Sequence, residues 1–309
     1  MLDLSVIIVT RNTRALTCAA IESVLNSRDD LRKEIILVDN GSSDDTATVL
    51  QKQFSGVRYL RSENNLGFAC ANNRGAREAQ GRYLLLLNSD AAVKPDSLAS
   101  AVAWMEAHPD CGVAGAQLLN PDGSLQNSIA NCPTLLTELL NKSLLRRLAP
   151  QRYPGKEHRA AEPIEVESVV GAFLLVRRTA WEVVGGLDER YFFFLEETDF
   201  CREARQRGWR VMHLPQVGVW HGQGQSVRQV SAAARIEYWR SRYSYFAKHR
   251  GRGTRLILGI GLGLRLTVDC LVSGLMCVAS ARWRNKWQVY SALVCWHLRG
   301  RPLWMGLPR

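Results

Sequence analysis

The segment that decides the fold covers residues 81–95 and reads GRYLLLLNSDAAVKP. Its four consecutive leucines, bounded by polar turn formers, are typical of a strand buried on both faces of a sheet. Asn88 and Asp90 then follow the strand, and open parallel sheets bind ligands at the carboxyl ends of their strands. A carboxylate in that place can hold a divalent metal, which can bind a diphosphate. The competing interpretation is a polar turn in which Asp90 begins the next helix.

Strand-like and helix-like patterns alternate along the first third of the chain. The predicted strands are 4–10, 34–38, 57–61 and 83–87, and the predicted helices are 16–25, 46–54 and 69–79. Regular alternation with short loops predicts an α/β fold with a doubly wound, mostly parallel sheet. No G-x-G-x-x-G follows the first strand and no G-x-x-x-x-G-K-[ST] occurs, which argues against a dinucleotide-dependent dehydrogenase and a P-loop NTPase.

The predicted strand ends carry polar clusters. These are Thr10, Arg11 and Asn12 after the first strand, Asp39 and Asn40 after the second, and Asn88 and Asp90 after the fourth. Such an edge can hold a mononucleotide, with Asp39 accepting a hydrogen bond from a base or ribose. The alternative for Asp39 is ordinary turn chemistry beside the Asn40–Gly41 pair.

A second cluster of acids lies further along the chain. Glu196, Glu197 and Asp199 place three carboxylates in four positions. One of them can act as a general base that deprotonates an acceptor hydroxyl. The alternative is that acids in the first turn of a helix at 200–207 only complement its dipole. His221, after a predicted strand at 217–220, is either a metal ligand or a structural histidine.

The middle of the chain yields further predictions. We predict a helix at 96–108, a strand at 112–119, a turn at 120–123, a loop over a site or an insertion at 150–163, and strands at 166–177 and 211–214. Glycine inside a strand marks a bulge or the close approach of a ligand, which draws attention to Gly171 and Ala172.

The net charge of +11 comes entirely from the last quarter of the chain. After residue 236 there are 13 Lys and Arg residues against Glu237 and Asp269. Such a basic region favours nucleic acid or an anionic membrane surface. Residues 256–281 are apolar enough to span a bilayer, but Arg265 and Asp269 make a simple lipid-exposed span costly. A helix lying in the membrane interface is the preferred prediction, a hairpin buried in protein is the alternative, and nucleic-acid binding is disfavoured.

Cysteine spacing and the N-terminal sequence bear on the compartment. The eight cysteines include no C-x-x-C pair, so no zinc or redox motif is predicted. The N-terminal segment has no signal-peptide pattern, which predicts a cytoplasmic protein. We predict one domain at 1–236, with a nucleotide-sugar half at about 1–120 and an acceptor half at about 121–236, followed by a membrane-associating region at 237–309.

Taken in order, these motifs resemble the family 2 glycosyltransferases of GT-A fold, and within them the bacterial rhamnosyltransferase-like branch. The resemblance covers residues 4–248. It rests on the motifs at 5–12, 38–42, 65–68 with Asn73 and Gly75, 87–90, 171–172, 185–189, 196–199, and 220–221 with Ser226.

The resemblance implies a role for each matching position. The implied donor-binding residues are Thr10, Arg11, Asn12, Asp39, Asn65, Gly67, Asn73, Asn88, Ser89 and Asp90. Gly171 and Ala172 belong to the acceptor side. Asp90, and His221 as in some family members, would hold Mg²⁺ or Mn²⁺ against the diphosphate, and Glu197 takes the position of the catalytic base.

Two positions depart from the family pattern. Asn88 replaces the first acid of the D-x-D motif, and an uncharged amide predicts a lower affinity for the metal. Glu197 replaces the usual Asp of the Glu-Asp motif, so its carboxylate has a different reach. Asp199 is therefore kept as a rival base, beside Glu196.

The implied activity is inverting, metal-dependent transfer of a sugar in bacterial surface polysaccharide synthesis. The favoured donor is dTDP-L-rhamnose within a class of dTDP- and UDP-sugars. The acceptor is a hydroxyl of a glycan or of a polyprenyl-diphosphate-linked sugar at the inner membrane. The alternative is a catalytically silent sugar-nucleotide-binding or membrane scaffold protein.

Overall fold

The computed structural model describes residues 2–150, 152–153, 160–222 and 231–309. These residues form two compact units. The first comprises residues 2–132, 160–192 and 196–222, and the second comprises 133–150, 152–153, 193–195 and 231–309. Ser226 and part of the predicted loop at 150–163 lie outside the described residues. The division of functions at residue 236 stays a prediction.

The first unit is built on a mixed nine-stranded sheet beside a two-stranded one. Its strands are β1 (Leu2–Thr10), β2 (Lys33–Asn40), β3 (Arg58–Ser62), β4 (Gly81–Asn88), β5 (Ala91–Val93), β6 (Cys111–Leu119), β7 (Ile129–Ala130), β8 (Ile164–Glu165), β9 (Ser168–Val169), β10 (Phe173–Arg177) and β11 (Arg210–His221). The large sheet has the order β3-β2-β1-β4-β10-β6-β11-β5, with β8 beside β11. The longest pairings are parallel, and β10 runs antiparallel between β4 and β6.

Helices cover both faces of this sheet. They are α1 (Arg14–Leu25), α2 (Thr46–Gln53), α3 (Phe68–Glu78), α4 (Ser97–Ala107), α7 (Arg178–Val184) and α8 (Glu196–Gln206). The odd-numbered leucines of β4 pack in one hydrophobic core with α1, α2 and α4, and the even-numbered ones pack in the other with α3, α7 and α8. Because side chains alternate along a strand, an unbroken leucine run supplies both cores. The predicted doubly wound GT-A architecture is confirmed.

Three predicted elements differ from the structure by more than a few residues at their ends. The single strand predicted at 166–177 is wrong, because a turn at Gly171 and Ala172 separates β9, which pairs with β7, from β10 in the large sheet. The strands predicted at 211–214 and 217–220 are one strand, β11, with a register shift between Leu214 and Gly218. The helix predicted to begin at residue 200 begins at Glu196, so all three acids belong to it.

The second unit is helical. It contains α5 (Leu135–Leu139), α6 (Lys142–Leu148), α9 (Ser231–His249), α10 (Arg252–Met276), α11 (Ala281–Leu298) and a 3₁₀ helix (Leu303–Met305). By length and composition α10 could cross a membrane. It buries Leu258, Leu262 and Leu266 within the unit while much of its remaining surface is exposed.

The start of α3 depends on a glycine in the first unit. Gly67 has φ +83° and ψ 169°, a conformation that essentially only glycine adopts. A Cβ at this position would lie 2.6 Å from the backbone oxygen of Phe192. That oxygen accepts a hydrogen bond from the Phe68 N–H (2.7 Å), so the loop before α3 is held against residue 192.

We expect Gly67→Ala to lower the free energy of unfolding by about 2 kcal/mol or more, because backbone strain and a clash with backbone atoms add together. Gly123→Ala is the control, since Gly123 also has a positive φ (+81°) but has nothing within 4 Å of the added Cβ. Denaturant unfolding of both variants measures the difference. Equal losses would show that the contact with residue 192 is unimportant.

Candidate active site

The carboxyl ends of β1, β2 and β4 meet at one edge of the sheet. In the parallel register Thr10 lies beside Asp39, and Val9 lies beside Asn88. The three polar clusters predicted at strand ends are therefore neighbours, although Thr10 and Asn88 are 78 positions apart in the sequence. Parallel pairing alone produces this gathering, because every strand ends at the same side.

Asp39 is fully buried at the end of β2. Its Oδ1 accepts a hydrogen bond from the Ser42 N–H (2.9 Å), and its Oδ2 accepts one from the Tyr59 hydroxyl (2.7 Å). Burial and the neighbouring carboxylate raise the pKa of Tyr59, so its hydroxyl remains a donor. Asp39 thus shapes the turn after β2, and its contact with a nucleotide stays a prediction.

Asn40 organises the loop that leads to α3. Its Nδ2 donates to Asn65 Oδ1 (2.8 Å), and its Oδ1 accepts from the Leu66 N–H (2.7 Å). Asn65 Oδ1 also accepts a hydrogen bond from the Gly67 N–H (3.1 Å). The predicted donor-site residues Asn65 and Gly67 therefore lie next to the end of β2.

The residues after β1 connect to the turns after β2 and β4. Asn12, in the left-handed region with φ +54°, donates its N–H to Ser42 Oγ (3.1 Å) and accepts the Ser43 N–H (2.8 Å). Ser89 accepts a hydrogen bond from the Thr13 hydroxyl (3.2 Å). Arg11 Nε is buried and has no hydrogen-bond partner within the described part of the chain. Hydrogen bonds thus join the segment after β1 to the turn after β2, through Asn12, and to the turn after β4, through Ser89.

Asn73 joins two predicted motifs that are far apart in sequence. Its amide donates to the Leu187 carbonyl (2.8 Å) and accepts the Leu187 N–H (2.9 Å). Its Nδ2 also lies 3.0 Å from Glu189 Oε1. Asn73 thus holds the loop at 185–189 against α3, and its role in the donor site stays a prediction.

The turn at Gly171 and Ala172 lies between the two acidic motifs. The Asn88 N–H donates to the Ala172 carbonyl (3.1 Å). An added Cβ at Gly171 would lie 3.4 Å from both Cβ and Cγ of Glu197. The structure therefore brings together the motif at 87–90, this turn and the acids of α8, all within the first unit. Their assignment to the acceptor side stays a prediction.

Asp90 and His221 face each other where β5 pairs with β11. His221 is the register partner of Ala91, and the Gly222 N–H donates to the Asp90 carbonyl (2.8 Å). His221 Nε2 lies 3.5 Å from Asp90 Oδ1, and the exposed fractions of the two side chains are 11% and 8%. Antiparallel pairing of an edge strand thus assembles a nitrogen and an oxygen donor from positions 131 residues apart.

These donors fit a divalent cation. Asn88 Oδ1 is buried and has no hydrogen-bond partner among the residues that the structure describes. Buried polar atoms are normally paired, so an orphaned amide oxygen two residues before Asp90 in the chain is unusual. Carboxylate and amide oxygens suit Mg²⁺ and Mn²⁺, and an imidazole nitrogen suits Mn²⁺ better than Mg²⁺.

Glu196 and Glu197, at the start of α8, are adjacent carboxyl groups, of which the first is buried and the second is partly exposed. Burial, followed by the charge of Glu197, raises the pKa of Glu196 well above its usual range. Burial also raises the pKa of Glu197, while the backbone N–H groups of Glu197 and Thr198 oppose the increase. The larger increase in pKa belongs to Glu196, so within this interacting pair Glu196 holds its proton more strongly than Glu197 does. A carboxylate with a raised pKa is a better general base near neutral pH.

Accessibility separates the two predicted bases. Glu197 is partly exposed, whereas Asp199 is buried and accepts a hydrogen bond from the Tyr191 hydroxyl (3.0 Å). Glu196 is also buried, and its Oε2 has no hydrogen-bond partner among the described residues. Of the three acids, Glu197 is the one that an acceptor can reach.

Sequence reasoning missed several residues that support this site. Tyr59, Tyr191 and Gln126 contact Asp39, Asp199 and His221, respectively. Tyr191 lies close to the acids in the sequence, so an aromatic run before them was an available signal. Gln126 lies 95 positions before His221 and no local pattern links the two.

Comparison with known proteins agrees with the resemblance seen in the sequence. The sequence profile of Glycosyl transferase family 2 matches residues 5–185. N-acetylglucosaminyl-diphospho-decaprenol L-rhamnosyltransferase of Mycobacterium tuberculosis is 29% identical over 70% of this chain and 76% of its own length. Rhamnosyltransferase WbbL of Escherichia coli is 26% identical over 72% of this chain and 85% of its own.

Solved structures share the fold at low identity. The mannosyltransferase PcManGT of Pyrobaculum calidifontis, in complex with GDP-Man and Mn²⁺, superposes with a TM-score of 0.57 at 16% identity, covering 97% of this chain and 88% of its own. GalNAc-T7 with UDP, GalNAc and Mn²⁺ gives a TM-score of 0.55 at 19% identity, covering 72% of this chain and 44% of its own.

We expect Glu196→Gln to raise the free energy of unfolding at neutral pH by about 1–3 kcal/mol, because an amide is neutral without a proton, whereas the buried carboxyl must take one up on folding. Since the folded-state pKa of Glu196 lies above its unfolded value of about 4.5, the folded protein binds this proton more tightly. Stability is therefore lost as pH rises from the unfolded pKa through the folded one. The gain from Glu196→Gln should be absent near pH 4 and full at high pH.

Denaturant unfolding from about pH 4 to about pH 8 measures this dependence. Glu182→Gln is the control, because Glu182 is an exposed carboxylate on α7. A Glu196→Gln curve that stays parallel to the wild type over the whole range would contradict the assignment of a buried, protonated acid.

Proposed function

Since the chain belongs to glycosyl transferase family 2, in its rhamnosyltransferase-like branch, we propose that it is an inverting enzyme that uses a nucleotide sugar and a divalent metal. The observation that carries this proposal is the Asp90–His221 pair, together with the orphaned oxygen of Asn88 two residues before Asp90 in the chain. The turn at Gly171 and Ala172 connects that cluster to Glu197. A donor-binding edge and a candidate base thus belong to one continuous site.

The proposed donor is dTDP-L-rhamnose, and the proposed acceptor is a sugar on a polyprenyl diphosphate. Both are supported by the relatives: one is named for transfer of L-rhamnose to N-acetylglucosaminyl-diphospho-decaprenol, and another is named a rhamnosyltransferase. A UDP-sugar donor and a glycan acceptor are the alternatives within the same class. The solved structures are similar to this chain in fold alone, so the nucleotides bound to them do not indicate which donor it uses.

In the proposed reaction Glu197 accepts the proton of an acceptor hydroxyl, whose oxygen attacks the anomeric carbon from the face opposite the nucleotide. One displacement inverts the configuration, and a single base suffices for it. Glu196, protonated, keeps a second negative charge away from Glu197. Asp90, His221 and Asn88 would hold the metal, whose charge neutralises the leaving diphosphate when it is bound. Thr10, Asn12, Asp39 and Ser89 shape the nucleotide end of the site.

Association with the inner membrane surface is proposed for the second unit. One face of α10 presents large apolar side chains to solvent at helical spacing; they are Ile257, Ile260, Leu264, Val268, Leu271 and Leu275. Exposed arginines lie near both ends of this apolar stretch; they are Arg252, Arg255, Arg282 and Arg284. Trp287 and Trp304 are also exposed. Arg265 Nε lies 3.8 Å from Asp269 Oδ2 on the same helix, so these two opposite charges form an ion pair. This composition suits a helix in the interface of an anionic bilayer.

We expect the wild-type protein to release dTDP from dTDP-L-rhamnose only with Mn²⁺ or Mg²⁺ and a polyprenyl-diphosphate-linked acceptor. Glu197→Gln should lower turnover by about 10²–10⁴-fold, because the base is lost. Calorimetric titration with dTDP should show unchanged binding, since the nucleotide end is untouched. Loss of turnover in Asp199→Asn but not in Glu197→Gln would move the base to Asp199. Binding of dTDP without turnover under any donor would favour a silent binding protein.

We expect Leu264→Glu combined with Leu271→Glu to weaken binding to anionic vesicles by about tenfold or more, because two apolar side chains no longer enter the interface. These side chains are 66% and 64% exposed, so folding should be unaffected. Leu25→Glu, a change at a 53% exposed leucine of the first unit, is the control. Cosedimentation with phosphatidylglycerol vesicles measures binding, and equal binding of all three proteins would refute the proposal.

A further inference from the structure

Gln126 is hydrogen-bonded to His221, the histidine of the Asp90–His221 pair. It is buried, and its Oε1 lies 3.0 Å from His221 Nδ1. The predicted turn at 120–123 precedes it, closed by a hydrogen bond from the Gly123 N–H to the Asn120 carbonyl (2.9 Å). The Gln126 N–H donates to the Leu118 carbonyl (2.8 Å), which ties the residue to the end of β6.

The orientation of the Gln126 amide is determined by its surroundings. Its Nε2 faces the His221 carbonyl (2.7 Å), the Leu119 carbonyl (3.3 Å) and Asn120 Oδ1 (2.9 Å). Backbone carbonyls only accept hydrogen bonds, so the NH₂ group must be on this side. The amide oxygen is therefore left to face His221, where it can only accept.

An accepting oxygen at 3.0 Å requires a proton on His221 Nδ1. In the neutral imidazole the other nitrogen, Nε2, then has no proton and presents a lone pair. His221 Nε2 lies 3.5 Å from Asp90 Oδ1. A lone pair and a carboxylate oxygen repel each other unless a cation lies between them. The pair is thus prepared for a shared positive charge.

We propose that Gln126 is a positioning residue that holds His221 in the Nδ1–H form, so that Nε2 and Asp90 can share a divalent cation. Metal-binding histidines commonly donate their second ring N–H to such an acceptor, which fixes both tautomer and ring orientation. The proposal rests on the proposed metal-dependent function for its cation, but the tautomer itself is a property of the chain alone.

The first measurement is the tautomer, in the full chain without metal. Long-range ¹H–¹⁵N correlation of histidine-labelled protein distinguishes Nδ1–H from Nε2–H, and the signal missing from His221→Asn assigns the residue. We expect the Nδ1–H form in the wild type and a shift toward Nε2–H in Gln126→Met, which keeps the volume but removes the acceptor.

The second measurement is the affinity for Mn²⁺, by calorimetry or electron paramagnetic resonance. Gln126→Met should weaken binding by about 10–100-fold, the usual effect of losing such a partner. Gln117→Met is the matched control, because Gln117 is also a buried amide and bonds to Ser128 Oγ (2.9 Å) and to the Gln126 carbonyl (3.1 Å), but not to His221. Its affinity should equal that of the wild type.

The two measurements separate the proposals. The same tautomer in Gln126→Met as in the wild type would overturn the role of Gln126, and so would equal losses of Mn²⁺ affinity in Gln126→Met and Gln117→Met. A wild-type protein that does not bind Mn²⁺ would refute the metal part of the proposed function. In that case a tautomer shift in Gln126→Met would still establish Gln126 as the residue that orients His221.

Discussion

The structure of the first unit depends on a strand that has no access to water. The leucines of β4 are at most 1% exposed, and their backbone groups must therefore find partners within the sheet. β1 and β10 provide those partners, one in parallel and one in antiparallel pairing. Because full pairing permits one register only, Asn88 is carried to the level of Val9, beside the ends of β1 and β2. The rest of the site is arranged around that position.

The site contains buried polar atoms for which the described residues provide no hydrogen-bond partner. The Asn88 oxygen and Glu196 Oε2 are buried without hydrogen-bond partners among the described residues, and Asp90 Oδ1 lies 3.5 Å from His221 Nε2. A core optimised only for stability would satisfy or remove such groups. Groups of this kind within one unit are what a site for a cation and a proton transfer needs, and the surrounding sheet offsets their cost.

Family and fold carry different information about this chain. The solved structures share its architecture at less than 20% identity, and an architecture of this kind serves many donors and acceptors. The rhamnosyltransferase relatives share sequence over most of its length and so bear on the branch. The helical second unit adds a surface with a different chemistry, because α10 has apolar side chains on its exposed face as well as on its buried one.

The sequence by itself determined the α/β class, the doubly wound core and the polar ends of the strands. Each of these depends on periodicity and turn residues within about ten positions, which local patterns express directly. The tertiary structure alone decided that residues 166–177 divide between two sheets, that β10 enters antiparallel, and that Asp39 is enclosed by Tyr59. It also decided that Gln126 meets His221. These features depend on which strands become neighbours, and strand order follows from the packing of the whole sheet rather than from any single segment.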